Sequence, residues 1–97
     1  MADLCKLSSE NNTLKLHGVV NMDTANRLLQ DFRQQLGSGI NTLDCENVSE
    51  ADSAAISLLL ACISHAQAQQ IELHLSGMGE QLLNLARLYE VEQLLDK

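Results

Sequence analysis

The chain has 97 residues, a length that fits one small domain covering residues 1–97. Its formal net charge is −7, with only 6 Lys and Arg, which disfavours binding to nucleic acid or to an anionic lipid surface, because both require clustered basic side chains. Apolar residues make up 45%, with one Phe, one Tyr and no Trp, so we expect an aliphatic core.

The cysteines and the hydropathy pattern indicate the cellular compartment in which the protein is expected. Cys5, Cys45 and Cys62 show no C-x-x-C spacing, and an odd, scattered set is typical of reduced, buried thiols in the cytosol. The first residues lack the basic region and apolar core of a signal peptide. The longest apolar stretch, 54–63, is too short to span a bilayer. We therefore expect a cytoplasmic protein without direct membrane insertion.

Two short strands are predicted at the start of the chain. Residues 4–7 can form an edge strand, and the Ser, Glu and Asn residues at 8–12 predict a turn. Residues 13–17 alternate between apolar and polar in the manner of a half-buried strand. Gly18 is expected to end this second strand, so that the pair forms a hairpin.

The first helix is predicted to begin at a cap, Asp23 or Thr24, and to end at the glycines of 37–39. Its apolar residues recur at helical spacing and predict one buried face. They are Ala25, Leu28, Leu29, Phe32 and Leu36.

An apolar run at 40–43 predicts a central buried strand over 40–44, and the polar residues at 46–52 predict a turn after it. The second helix is expected over 52–69, where Asp52 or Ser53 can cap its first free N–H groups. Its predicted core face consists of Ile56, Leu59, Leu60, Ile63 and Ala66.

The remaining chain completes an alternating pattern. Residues 71–75 predict a strand, 76–79 a turn, 80–89 a third helix and 91–95 a short closing turn or helix. The order is therefore β-β-α-β-α-β-α. Strand–helix–strand repeats require right-handed parallel crossovers. We expect an α/β layer fold in which three or four helices pack on one side of a mixed sheet of about four strands.

The residues around the second helix resemble those of STAS domains, the family of anti-sigma-factor antagonists. Asp44 and Val48 precede an Asp-Ser pair that leads into an apolar helix. The family reads Asp-Ser/Thr-x-Gly at this point, and this chain reads Asp52-Ser53-Ala54-Ala55, so Ala55 replaces the glycine. The resemblance covers nearly the whole chain and implies the STAS fold.

A second STAS motif is matched only in part. The family carries Gly-Glu-Leu-Asp and then Thr-Ala at the start of the first helix. Gly18, Thr24 and Ala25 fit this motif, but Val19 and Asn21 stand where the family has its two acids. Two acids of that loop are therefore missing from this chain.

The end of the chain resembles MlaB-like proteins, in which a Leu-Ala-Lys-Leu-Tyr run corresponds to Leu85-Ala86-Arg87-Leu88-Tyr89. MlaB-like proteins are small cytoplasmic STAS subunits of an ABC transporter that moves phospholipids between the inner and outer membranes of Gram-negative bacteria. The resemblance implies a non-catalytic subunit, without cofactor or metal, that binds and supports the ATPase of such a complex and so maintains outer-membrane lipid asymmetry. It would be peripheral at the inner membrane through this partner.

The implied partner is an ABC ATPase subunit with its permease complex, bound by the start of the second helix and by the neighbouring loop before the first helix. Small side chains leave this end open to close approach, and an exposed methionine would suit a hydrophobic contact. The predicted interface consists of Asp52, Ser53, Ala54, Ala55, Ser57, Asn21 and Met22.

An alternative function follows from the same resemblance. The serine of sigma-factor antagonists that matches Ser53 is phosphorylated by a partner kinase, so Ser53 is a candidate phospho-acceptor. A phosphate adds a charge of roughly −1.5 to −2 and would lie in the positive field of a helix N-terminus. The chain would then be a regulator that binds a serine-kinase anti-sigma factor. Plain helix capping explains Ser53 as well as a partner contact does.

Catalytic and metal-binding motifs do not emerge from the sequence. His17, His65 and His74 have no ligand spacing with the cysteines or the carboxylates. Neither a Gly-x-Ser-x-Gly turn nor a glycine-rich phosphate loop is present. We therefore expect no catalytic residues, no metal and no cofactor.

Overall fold

A computed structural model describes residues 6–37, 39–89 and 91. The predicted order of strands and helices is confirmed. The elements are β1 (Lys6–Glu10), β2 (Thr13–Val20), α1 (Met22–Gln35), β3 (Thr42–Ala51), α2 (Ser53–Ala68), β4 (His74–Ser76) and α3 (Glu80–Leu88).

The four strands form one mixed sheet in the order β1-β2-β3-β4. β1 and β2 are an antiparallel hairpin, whereas β2 pairs with β3, and β3 with β4, in parallel. Each parallel pair is joined through a helix, α1 or α2, as parallel neighbours require. The expected mixed four-stranded α/β sheet is thus confirmed.

Apolar side chains line one face of the sheet, and polar side chains line the other. Alternate residues of β2, Leu14 and Leu16, are buried together with Leu43 and Cys45 of β3. The residues between them point to the opposite face, where Lys15 Nζ lies 2.8 Å from Glu10 Oε1. Because side chains alternate across a strand, the helices must cover the apolar face alone. Within this helical layer, α2 packs against both α1 and α3.

The turn predicted at 8–12 is wrong in its extent. β1 continues to Glu10, and a two-residue turn, Asn11-Asn12, joins it to β2. Asn11 has φ 56, a conformation that asparagine tolerates better than most residues. The polar residues of β1 lie on a strand because this edge strand is exposed. The first two residues of the strand predicted at 4–7 lie outside the described residues.

Gly18 does not end β2, which continues to Val20. It has φ 92 and lies where the pairing between β2 and β3 shifts register. A glycine at such an irregularity supplies a positive φ without the steric cost of a Cβ.

The polar turn predicted at 46–52 is also wrong, because β3 runs on to Ala51. The second half of β3 pairs with the end of β2, for example His17 with Asn47 and Val20 with Ala51. Its side chains are polar because most of them are exposed, and backbone hydrogen bonding is enough to hold the strand. The strand predicted at 71–75 is shorter and later, at His74–Ser76. The closing element predicted at 91–95 lies outside the described residues except for Val91.

The core is aliphatic, as expected, apart from Phe32, which is its largest fully buried side chain. Cys45 and Cys62 are free thiols buried within it, and burial raises the pKa of each to about 12. The prediction of buried thiols is confirmed for these two residues, and Cys5 lies outside the described residues. In the described ranges, the helices are too short or too polar to cross a membrane.

Candidate functional site

The helices α1 and α2 begin side by side at one end of the sheet. β2 and β3 run parallel, and their last residues, Val20 and Ala51, are paired in register. The Asp52 N–H donates to the Val20 carbonyl oxygen at 3.2 Å, which fixes the distance between the two helix starts. The structure therefore brings together the two loops that hold the predicted interface residues.

Asn21 caps α1 through a reciprocal pair of hydrogen bonds. Its Oδ1 accepts from the backbone N–H groups of Asp23 at 2.9 Å and Thr24 at 3.2 Å. In return, Thr24 Oγ1 accepts from the Asn21 N–H at 3.0 Å, which completes a capping box. The predicted caps, Asp23 and Thr24, are wrong because the helix begins earlier, at Met22. Asn21 thus has a structural role in the loop.

Asp52, rather than Ser53, caps α2. Its Oδ1 accepts from the Ala54 N–H at 2.8 Å. Ser53 is exposed, and its hydroxyl has no hydrogen-bond partner among the described residues. Helix capping therefore does not account for Ser53, and its hydroxyl remains accessible from outside.

A groove of about 810 Å³ extends from these helix starts along the helical layer. Residues of α2 form its base, residues of α1 form one wall, and Tyr89 and Val91, which follow α3, form the rest. Four predicted interface residues line it: Met22, Ser53, Ala54 and Ser57. Asn21 and Asp52 lie at its end as the two helix caps. A partner that enters the groove would therefore meet both predicted loops.

Ala55 has a different environment from its neighbours. Its side chain is 2% exposed and belongs to the core, so it does not face the groove. Ala55 lies within α2 and is not among the positive-φ residues of the described chain, so no glycine is required there for backbone conformation. The methyl group that distinguishes Ala55 from the glycine of the STAS motif is packed in the hydrophobic core.

The sequence pattern did not indicate the other groove residues. Leu29 and Leu60 were assigned to core faces, and the structure places them half-buried at the boundary between core and groove. Tyr89, the last residue of the predicted third helix, is 50% exposed and lines the groove. The helical spacing of Met22, Ala25 and Leu29 was the available signal for the α1 wall. The full set that sequence reasoning missed is Ala25, Asn26, Leu29, Ile56, Leu58, Leu60, Ala61, Tyr89 and Val91.

The family model described as the MlaB STAS domain matches residues 5–96. The chain belongs to the MlaB-type STAS domain family. The intermembrane phospholipid transport system binding protein MlaB of Escherichia coli (strain K12) is 31% identical over 80 residues, which cover 82% of this chain and 81% of that protein. MlaB of Shigella flexneri matches with the same identity and coverage.

The STAS fold is also found in a solved structure. The anti-sigma factor antagonist SpoIIAA, in its unphosphorylated form, superimposes with a TM-score of 0.70 over 93% of this chain and 84% of that chain. The two sequences are 12% identical, so this likeness concerns the fold alone. The predicted resemblance to STAS domains, and to the MlaB type among them, is confirmed.

The histidines of this STAS domain have structural neighbours. His17 Nε2 and Ser8 Oγ are hydrogen-bonded at 3.0 Å on the polar face of the sheet. The His65 ring packs edge-on against the Phe32 ring, with 6.2 Å between the two ring centroids. Within the ranges that the structure describes, no three His, Cys, Asp or Glu side chains are grouped so that they could hold a metal ion. The groove itself is lined mostly by apolar side chains, and the Asp52 carboxylate lies at its end.

Proposed function

We propose that this STAS domain is a non-catalytic subunit that binds and supports the ATPase of a phospholipid-transport ABC complex, which maintains outer-membrane lipid asymmetry. The observation that carries the proposal is the 31% identity to MlaB, spread over about four fifths of both chains. The domain would work in the cytoplasm, at the inner membrane, through the ATPase and its permease.

The docking surface in this proposal is the end of the helical layer where α1 and α2 begin. Met22 is 81% exposed and supplies a flexible apolar side chain for contact. Ser53, Ala54 and Ser57 are small, so a partner can approach the backbone of α2 closely. Asp52 adds a carboxylate that orients a basic partner. Asn21 supports this surface as a cap, and Ala55 supports it from the core.

The exposed hydroxyl of Ser53 is also what a phospho-switched regulator would require. The similarity to SpoIIAA is limited to the fold, so it carries no phosphorylation switch over to this chain. We therefore retain phosphorylation by a serine kinase only as the competing outcome of the experiment that tests docking.

The proposal is tested by affinity purification of the tagged protein from detergent-solubilised cells of its own organism. We expect an ABC ATPase with its permease among the bound proteins identified by mass spectrometry. A serine kinase, together with a mass increase of one phosphate on Ser53, would instead establish the regulator.

Two matched variants locate the surface. Ser53→Trp places a large ring in the groove and should abolish recovery of the ATPase. Ser64→Trp alters the same helix at an exposed position outside the groove and should leave recovery unchanged. Equal recovery with both variants would show that the ATPase binds elsewhere.

A further inference from the structure

In the described chain, the outer edge of β3 is paired with a strand over only part of its length. β4 pairs with residues 42–44, whereas β3 continues to Ala51. Beyond this pairing, two side chains accept hydrogen bonds from backbone N–H groups of β3. The Glu46 N–H donates to Asp44 Oδ1 at 2.9 Å, and the Ala51 N–H donates to Gln81 Oε1 at 3.2 Å. Gln81 therefore satisfies a backbone group that a neighbouring strand would otherwise satisfy.

Gln81 links two elements that are far apart in the sequence. It lies at the start of α3, and 30 positions separate it from Ala51. Because a backbone N–H can only donate, it requires an acceptor, and the side-chain oxygen of a glutamine supplies one. Gln81 is exposed and does not line the groove. Its hydrogen bond therefore connects α3 to the end of β3 without contributing to the groove surface.

Ala51 immediately precedes the residue that caps α2. That residue, Asp52, donates its own N–H to the Val20 carbonyl oxygen at 3.2 Å. The end of β3 is thus held from β2 through the Asp52 N–H and from α3 through the Ala51 N–H. Since the distance between successive Cα atoms is fixed, a displacement of Ala51 must also displace Asp52. Gln81 therefore helps to fix the position of Asp52 and of Ser53 after it.

The strength of this hydrogen bond suits a local effect. A neutral hydrogen bond shifts an equilibrium by about 2- to 10-fold. This is a small part of the stability of a folded domain, but it is enough to change how often a surface loop opens. Loss of the Gln81 acceptor should therefore appear as more frequent opening of the loop before α2 and not as unfolding of the domain.

We propose that Gln81 is a positioning residue of the docking surface. By accepting from the Ala51 N–H, it holds the start of α2 in the arrangement that the ATPase binds. Gln81 acts through the loop that carries Asp52 and Ser53, and not by touching the partner. This inference rests on the proposed function and adds a residue of α3 to those that determine binding.

Amide hydrogen exchange of the isotopically labelled full chain, measured by NMR, tests the coupling without the partner. Gln81→Met keeps the length of the side chain but removes the acceptor, and Gln81→Glu restores an acceptor. We expect the Met variant to exchange about 2- to 10-fold faster at Ala51, Asp52 and Ala54, and the Glu variant to return these rates to near the wild-type values. Asn84→Met is the matched control, because Asn84 is exposed on the same helix, and it should leave the rates unchanged.

The pattern of exchange distinguishes positioning from simpler effects. Faster exchange at Ala51 alone would show that the hydrogen bond protects only its own N–H, and would overturn the inference. An equal acceleration at Leu59, which is buried within α2, would show a general loss of stability and would overturn it as well.

The affinity of the purified chain for the ATPase tests whether this positioning matters for docking. We expect Gln81→Met to raise the Kd by about 2- to 10-fold and Gln81→Glu to bind like the wild type. If the wild type binds the ATPase and Gln81→Met binds it equally well, the inference is overturned and the proposed function stands. If the wild type recovers no ATPase, the proposed function and the role of Gln81 in docking are both overturned, and the exchange rates alone then decide whether α3 holds the loop.

Discussion

The turn after β4 offers a sharp test of the packing around the sheet. Gly77 has φ 67, and a Cβ built there would lie 2.5 Å from Asp44 Oδ1 and 2.7 Å from the Glu46 backbone nitrogen. These two atoms are themselves hydrogen-bonded at 2.9 Å. Gly77→Ala must therefore strain the backbone and separate this pair. A left-handed conformation costs a residue with a Cβ about 1–2 kcal/mol, and a lost hydrogen bond costs about 1 kcal/mol.

We expect Gly77→Ala to lower the free energy of unfolding by about 2–3 kcal/mol in urea denaturation. The control is Gly79→Ala, since no atom lies within 4 Å of a Cβ there and φ is −75. Alanine is a less favourable N-cap for α3 than glycine, but it also lowers the conformational entropy of the unfolded chain. Because these two contributions oppose each other, Gly79→Ala should change the free energy of unfolding by no more than about 0.5 kcal/mol. If the two variants lost equal stability, or if Gly77→Ala lost less than about 1 kcal/mol, the inferred close packing would be refuted.

Other predictions concern the helix cap, the core and the thiols. Asn21→Ala should lower the free energy of unfolding by about 1 kcal/mol because the capping box is lost, whereas Asn26→Ala, on the same helix but outside the cap, should not lower it. Phe32→Ala should cost about 3–5 kcal/mol in the same urea assay, because the ring is 1% exposed. Cys45 and Cys62, whose pKa burial raises to about 12, should react with Ellman's reagent at pH 8 only after unfolding. Since this folded-state pKa exceeds the ordinary value of 9.0, the stability that the two thiols contribute should be lost as the pH rises from 9 towards 12, which pH-dependent urea curves would detect.

The elements that the sequence predicted best are those in which apolar residues recur with a clear period. The spacing of Leu28 and Phe32 on α1 and of Leu14 and Leu16 on β2 placed both faces correctly. The second half of β3 carried no such period, because its strand is held by backbone pairing with β2 while its side chains remain largely exposed. In the sequence, an exposed strand segment with polar side chains, at the edge of the sheet or beyond the core, therefore resembles a turn.

The proximity of the two helix starts could be inferred before the structure, because parallel strands that each lead into a helix deliver those helices to one edge of the sheet. The identity of the α1 cap and the position of Tyr89 could not be inferred from the sequence. Asn21, rather than Asp23, is the cap because Thr24 can reciprocate from the third helical position. Tyr89 reaches the groove because α3 packs against α2, and that tertiary contact leaves no trace in local spacing.

The two faces of the sheet differ in the surface that they leave available to a partner, and this difference supports the proposed docking at the helical layer. On the open face, polar groups find partners within the domain, as Ser8 does with His17 and Lys15 with Glu10. Such pairs are already hydrated and gain little from a partner. On the helical side, Met22 is exposed to water beside a groove whose described lining contains no charged residue. Covering apolar surface there is favourable by about 25 cal/mol per Å², so the gain from association is concentrated at the groove.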